Sequence, residues 1–457
     1  MEAVVSHNSL WAGRRIRAFA NIALLIILLA APLCARADVT IPDTPAGHTL
    51  QAFLTAMNSG DHDKIAAYVK EFDPKNNADG LTGFAAQTGG FNLVSILSSA
   101  PDRLTFMVHG RADNIDAYGS LQLESIAPPR VKQLGIRAMP PGAKLDDIQL
   151  DAATRQKTID AISKQLTEHY VYPDVAAKMV QAVRDHQAHG DYNSITDGNE
   201  FAGALMRDLR AVSHDGHLFV GYNPYIMPGD SSGPHAPSPA DEARFRTQLE
   251  HDNCSFSKVD ILEHNIGYVK FGAFAPPEYC ASTVVAAMSF LAHTDAIIFD
   301  LRENHGGDPQ MVDFMVSYLF HDSTHINDLN TRLDSETHQY WTLPWVPGSR
   351  FVDQPVYVLT SHETFSGGEE FTFDLKTQKR ATIVGETTGG GAHPVRGMPA
   401  GDHFTIGVPF ARPINPVTKG DWEGTGVEPD VKVSAADALT TAQKLAAEKL
   451  ASKNKTD

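Results

Sequence analysis

The chain has 457 residues, a formal charge of −17, 42% hydrophobic residues and 20% charged residues. Its length leaves room for two or three hydrophobic cores, and its composition is that of a folded globular protein rather than a disordered or fibrous one. An acidic surface of this kind repels phosphate backbones and anionic lipid, which argues against nucleic-acid and membrane-surface partners.

Residues 1–37 read as a secretory signal peptide. Arg14, Arg15 and Arg17 form a basic region, Ala18 to Leu33 an apolar run, and Ala35, Arg36 and Ala37 a small-x-small cleavage site before Asp38. The run is short for a retained anchor, which needs about 20 apolar residues. Leu33 before Cys34 is a poor lipoprotein signal, and the residues flanking Arg14 and Arg15 fit twin-arginine export poorly. The segment carries Arg14, Arg15, Arg17 and Arg36 against Glu2, so its removal leaves −20. It also removes Cys34 and leaves Cys254 and Cys280. In an oxidising compartment these two can pair; two buried thiols are the alternative, and their spacing fits no zinc motif. The expected location is periplasmic or secreted, with no membrane span after signal removal.

Residues 45–140 read as a small α+β domain. Leu50, Phe53, Leu54 and Met57 recur at helical spacing, Asn58 to Asp61 stop that helix and cap the next, and Ile65, Tyr68 and Val69 continue one face. Strand-like runs follow at 91–97, 103–109, 118–124 and 131–137. Helices followed by a strand meander resemble the NTF2-like or SnoaL-like domains. Pro140, Pro141 and Gly142 close the segment as a linker.

Residues 150–225 read as a helical subdomain, with Ile159, Ile162 and Leu166 on one stripe and Met179, Val180 and Val183 on another. Residues 223–239 are rich in Pro, Gly and Ser and read as a long loop, a lid or a disordered connection. From 255 to 440 strand and helix alternate as an α/β core. Strands are expected at 266–271, 296–301, 356–360 and 381–384. Helices are expected at 282–291, from the Asp308-Pro309 cap to Phe320, and from Gly367.

Two strand-to-helix junctions carry the chemistry. The apolar strand Val356 to Thr360 leads through Thr364, Phe365, Ser366, Gly367 and Gly368 into a helix. A serine there sits among unpaired helix N–H groups, where negative charge is favoured, and Gly367 lets a substrate approach the backbone. Alone, such a serine is more often a plain helix cap. The second junction runs from Ala296 through Asp300, Leu301 and Arg302 to Asn304, Gly306 and Gly307, whose backbone can face an oxygen.

Together these segments resemble the S41 peptidases, a group including tail-specific proteases, tricorn-like proteases and interphotoreceptor retinoid-binding protein. The resemblance rests on D-L-R-x-N-x-G-G at Asp300 to Gly307, on Thr364 to Phe371, on Arg380 to Gly390, and on Gly426, Val427, Pro429 and Asp430. It implies a ClpP/crotonase-like α/β catalytic core behind a helical subdomain, a serine peptidase acting on polypeptide through an acyl-enzyme, and no cofactor or metal. One subgroup takes a lysine base from the Gly-rich segment, but Thr388 to Ala392 holds none. The tricorn-like subgroup uses histidine and glutamate, which the resemblance maps to His217 in the Asp215-Gly216-His217 block and to Glu423. His214 and Asp421 are the neighbouring alternatives. The expected site is Ser366 as nucleophile, His217 as base and Glu423 as its orienting carboxylate, with an oxyanion hole from Gly367 and Gly306 or Gly307. The other readings are a ligand-binding module with a vestigial serine, like the retinoid-binding relatives, and an esterase. Residues 225–260 leave no room for a PDZ domain, so selection of C-terminal tails is not expected. An oligomer is left open.

Overall fold

The computed structural model describes residues 39–139, 143–146, 150–226, 239–332 and 336–453. The signal peptide, the Pro140 to Gly142 linker and most of the 223–239 loop lie outside the described residues. Two compact units are present, residues 1–138 and 139–457. None of the described helices is long and apolar enough to cross a membrane.

In the first unit, α1 (Pro45–Ser59), α2 (His62–Phe72) and α3 (Ala78–Thr88) precede a four-stranded antiparallel sheet. Its strands are β1 (Phe91–Ser99), β2 (Arg103–Gly110), β3 (Asp116–Ile126) and β4 (Pro129–Ala138). Thr44 caps α1 through the Gly47 N–H at 3.0 Å, and Gly60 ends it at φ +61°. Leu50, Phe53, Leu54 and Met57 are buried together against Phe91, Phe106 and Leu121 on the sheet. The sequence stripe therefore marks the packed face. Helix α3, capped by Asn77, is an addition that its Ala- and Gly-rich sequence did not announce.

The second unit begins with β5 (Lys144–Leu145), then α4 (Ala152–His169), α5 (Pro173–His189), α6 (Gly198–Ser213), β6 (Phe219–Tyr222), β7 (Tyr225–Ile226) and α7 (Pro239–His251). The core follows as β8 (Phe256–Leu262), β9 (Ile266–Phe271), α8 (Pro277–Phe290), β10 (Ala296–Asp300), α9 (Pro309–Ser317), β11 (His325–Thr331), β12 (Thr337–Trp341) and β13 (Val356–Thr360). Helix α10 (Gly367–Thr377), β14 (Thr382–Gly385), β15 (Val395–Pro399), β16 (Phe404–Pro409), β17 (Ala411–Ile414), β18 (Val431–Lys432) and α11 (Ala435–Lys453) complete it. Helix α8 starts at Pro277, before the expected Ser282, because a proline at the first helical position needs no N–H partner.

The main sheet has the order β18-β14-β13-β10-β9-β8, parallel except for the β8–β9 edge pair. Alternation along its strands builds two cores. Val269, Ile297, Phe299, Val358 and Ile383 face one side with α8, α9 and α10, while Tyr268, Ile298, Leu359 and Val384 face the other. On that second side Ala438, Ala442 and Ala446 of α11 are fully buried, and their small side chains let the helix approach the sheet closely. The Asp300-Leu301-Arg302 motif serves this docking: Arg302 grips both oxygens of Asp300 at 2.8 and 2.6 Å and donates to the Ala435 carbonyl at 2.7 Å.

Strand β6 pairs with β16, Val220 opposite Ile406, which fastens the loop after α6 to the later strands of the unit. Cys254 and Cys280 are bonded, with Cα atoms 5.8 Å apart and a sequence separation of 26. Closing a loop of that length contributes about 3 kcal/mol through the unfolded chain. Reductant should therefore lower the urea midpoint by the corresponding amount; an unchanged midpoint would mean the bond contributes nothing.

Candidate active site

The parallel strands β10 and β13 end side by side, and the loops leaving their carboxyl ends form the site, where ligands of open α/β sheets bind. The two loops are sewn together. The Thr364 hydroxyl donates to the Leu301 carbonyl at 2.7 Å, and the Phe365 N–H to the Asn304 carbonyl at 2.9 Å.

Ser366 caps α10 with φ +53° and ψ −119°, a conformation that only glycine adopts freely. The surrounding bonds hold it there. The fully buried Glu369 accepts from the Ser366 N–H at 3.0 Å and the Gly391 N–H at 2.8 Å through one oxygen. Its other oxygen accepts from the Thr388 hydroxyl at 2.5 Å and the Gly390 N–H at 2.6 Å. Burial raises the pKa of this carboxyl above the ordinary range, against the lowering effect of those four donors. The clamp was missed in the sequence, although Ser366-x-x-Glu369 is a capping-box spacing.

Of the oxyanion candidates, Gly306 is corrected. Its N–H is donated to Asn304 Oδ1 at 2.9 Å, so it is not free for a substrate oxygen. Gly306 is instead the close-approach residue: a Cβ there would stand 2.6 Å from Ser366 Cβ and 2.7 Å from the Gly367 nitrogen. Gly307 and Gly367 fit the role. A Cβ on Gly367 would lie 3.1 Å from the Gly307 nitrogen, so the two N–H groups are neighbours beside the serine. The Gly367 N–H heads the helix, where no intrahelical acceptor exists.

His217 lies across the cleft, its ring 4.7 Å from that of Phe365, the residue before Ser366. A Cβ on Gly391 would meet the Phe365 ring at 2.1 Å and the His217 ring at 2.8 Å. The Gly-rich segment thus wraps the histidine. Burial lowers the His217 pKa to about 4, partly offset by the field of Asp215. The imidazole is therefore neutral and able to accept a proton at neutral pH. His214, by contrast, is exposed and ends α6 at φ +55°.

If His217 is the base, the acid limb of its kcat/KM profile should fall through about pH 4 rather than 6.5. The sign follows from burial. An unfolded histidine, with pKa about 6.5, takes its proton first, so this group destabilises the fold increasingly as pH falls from 6.5 to 4 and costs nothing above. A limb near 6.5 would show a solvated base.

Glu423 is also corrected. It makes no bond to the His217 ring; its carboxylate accepts from the Ala392 N–H at 2.6 Å, the His393 N–H at 3.2 Å and the Gly216 N–H at 3.3 Å. Asp421, the alternative acid, accepts from the Glu423 N–H at 2.9 Å. The carboxylate nearest in effect to His217 is Asp215, which accepts the His217 backbone N–H at 3.0 Å. Nδ1 of the His217 ring is buried without a partner.

His393, which the sequence did not single out, joins these carboxylates. Its Nδ1 is 2.7 Å from Asp215 and 3.5 Å from Glu423, and Tyr170 donates to the same Asp215 oxygen at 3.2 Å. Burial opposes charge on His393, but the Asp215 hydrogen bond and the fields of both carboxylates outweigh it and raise its pKa. The donor atoms of Asp215, His393 and Glu423 lie within 4.8 Å of one another, a set that could hold a metal ion.

Residues 265–433 match peptidase family S41, and residues 148–263 match the N-terminal domain of Peptidase_S41 in eukaryotic IRBP. The chain belongs to peptidase family S41 through residues 148–433. Among solved structures it is similar to a lipoprotein from Streptococcus agalactiae, at 12% identity and TM-score 0.44, covering 67% of this chain and 100% of that one. The photosystem II D1 C-terminal processing protease follows at 15% identity and TM-score 0.40, covering 62% and 94%. For the tricorn protease the values are 14% and 0.38, covering 77% and 40%.

Proposed function

We propose that the second unit is an exported serine peptidase that cleaves polypeptide through an acyl-enzyme. Ser366 Oγ attacks the scissile carbonyl while His217 takes its proton. The carbonyl oxygen, now negative, moves toward the Gly307 and Gly367 N–H groups. His217 returns the proton to the leaving amine, and water repeats the sequence on the acyl-serine. Glu423, Asp215 and His393 hold the loops that carry His217 rather than the ring itself. The observation that carries the reading is the strained Ser366 beside the neighbouring Gly307 and Gly367 N–H groups, with the half-buried His217 ring packed against Phe365, the residue before it. Export and a periplasmic or extracellular site are supported by the leader-like residues 1–37 and by the disulfide.

A fluorophosphonate probe on the purified protein tests this. Labelling should map to Ser366 and vanish in Ser366→Ala and His217→Ala. Labelling that persists in Ser366→Ala would overturn the assignment, and no labelling of the folded wild type would favour a binding module. Paired peptide and ester substrates then separate a peptidase from an esterase.

A further inference from the structure

Gly307 takes its position from the segment between β9 and α8. The His305 N–H donates to the Gly272 carbonyl at 3.0 Å, the Phe274 N–H to the Gly306 carbonyl at 2.8 Å and the Asp308 N–H to the Phe274 carbonyl at 2.7 Å. Gly307 has φ +142°, and a Cβ there would collide with the Phe274 backbone, so the glycine lies flush against that residue. The Gly306 carbonyl and the Gly307 N–H belong to one planar trans peptide. Binding the carbonyl to Phe274 therefore aims the N–H to the opposite side, where Gly367 stands.

Residues 271–276 are in turn braced from behind. The Gly272 N–H donates to the Ser255 carbonyl at 2.9 Å. Ser255 ends a turn in which three successive residues, none of them glycine, are left-handed: Asn253 at φ +47°, Cys254 at +54° and Ser255 at +64°. Single residues visit that region, but a run of three is costly and persists only where its surroundings impose it. Cys254, the middle residue, is bonded to Cys280 in the first turn of α8, the helix that follows the segment. The bond thus ties the turn behind residues 271–276 to the helix after them. With the two cysteines at 4% and 1% exposure, it is shielded from reductant once formed.

We propose that the Cys254–Cys280 bond is a positioning device for the oxyanion donor Gly307, and that the peptidase works at a small fraction of its rate until the two thiols are oxidised. The proposal rests on the peptidase reading and adds the regulation of that site. Oxidation is thiol–disulfide exchange with a small-molecule or protein disulfide. Two electrons and two protons pass from the cysteines to the incoming disulfide, which leaves as two thiols. A chain made in a reducing compartment is thereby held back until it reaches an oxidising one.

Three forms test this: the oxidised protein, Cys254→Ala with Cys280→Ala, and Cys254→Gly with Cys280→Ala. Glycine holds φ +54° without strain, so the third form keeps the turn but lacks the bond. Both variants should melt below the oxidised protein, and the assays are run where all three are folded. In the alanine pair, kcat on a peptide substrate should fall by about ten- to a hundredfold with KM changed less than about twofold, because the oxyanion forms only in the transition state. The glycine form should regain most of that kcat, whereas a general loss of stability would move both variants together. Hydrogen exchange reads the brace without catalysis. Peptides covering 272–276 and 304–308 should exchange at least about tenfold faster in the alanine pair, and those covering 356–366 should not change. Wild-type protein refolded with its thiols reduced should behave as the alanine pair does and recover with oxidised glutathione; it carries the same comparison if that pair fails to fold. Unchanged exchange at 304–308, undiminished kcat, or an equal loss in both variants would overturn the proposal. Faster exchange there in a protein whose Ser366 never labels would sink the catalytic reading alone.

Discussion

Replacing Ser366 by alanine should remove hydrolysis almost entirely, with kcat/KM falling by roughly 10⁴ to 10⁶, and His217→Ala should cost nearly as much. The double variant should be no worse than the poorer single one, because hydroxyl and imidazole act as a unit and the two N–H groups alone supply the residual rate. A product of the two separate losses would mean that they act independently. Stability should move differently. Ser366 holds φ +53° without being glycine, so Ser366→Gly should be as inactive as Ser366→Ala yet about 1 kcal/mol more stable. Equal melting temperatures for the two variants would show that the turn stores no strain.

Removing the Glu369 carboxylate should be the most damaging single change outside the reacting groups. It takes four donors from Ser366, Thr388, Gly390 and Gly391, and none of the carboxylate is exposed. Glu369→Ala strands those donors and should cost about 3–5 kcal/mol, read as a fall in the urea midpoint, with fluorophosphonate labelling lost as the turn relaxes. Glu369→Gln should rescue little, since its NH₂ must point at two groups that also donate. The contrast with Glu370, one residue on, is sharp. There neutralisation relieves repulsion from Asp308, so Glu370→Gln should hold or raise stability. An equal loss in both variants would indicate a generic packing defect in α10.

Much of the fold was legible because it is written in short-range patterns. Strands β9, β10 and β13 are apolar runs bounded by turn residues, and their limits in the sequence nearly coincide with those in the structure. Strands β11, β12, β15, β16 and β17 were not foreseen. Their sequences mix polar and apolar residues, and pairing between distant segments, such as β6 with β16, makes them strands. Helix α11 did carry a signal, since Ala438, Ala442 and Ala446 stand at helical spacing; alanines simply announce a buried face less loudly than leucines do.

The sequence by itself determined the family and singled out Ser366 and the glycines around it as the candidate site, because a strained serine turn and close backbone approaches demand particular residues at particular spacings. Only the tertiary structure decided who partners whom. It gave the Gly306 N–H to Asn304, gave Glu423 to the backbone of two loops, and brought His393 to Asp215 from 178 residues away. A carboxylate or imidazole bonds whichever complementary group packing sets within about 3 Å of it. That distance is a property of the folded chain, and nothing in the spacing of residues along it encodes the choice.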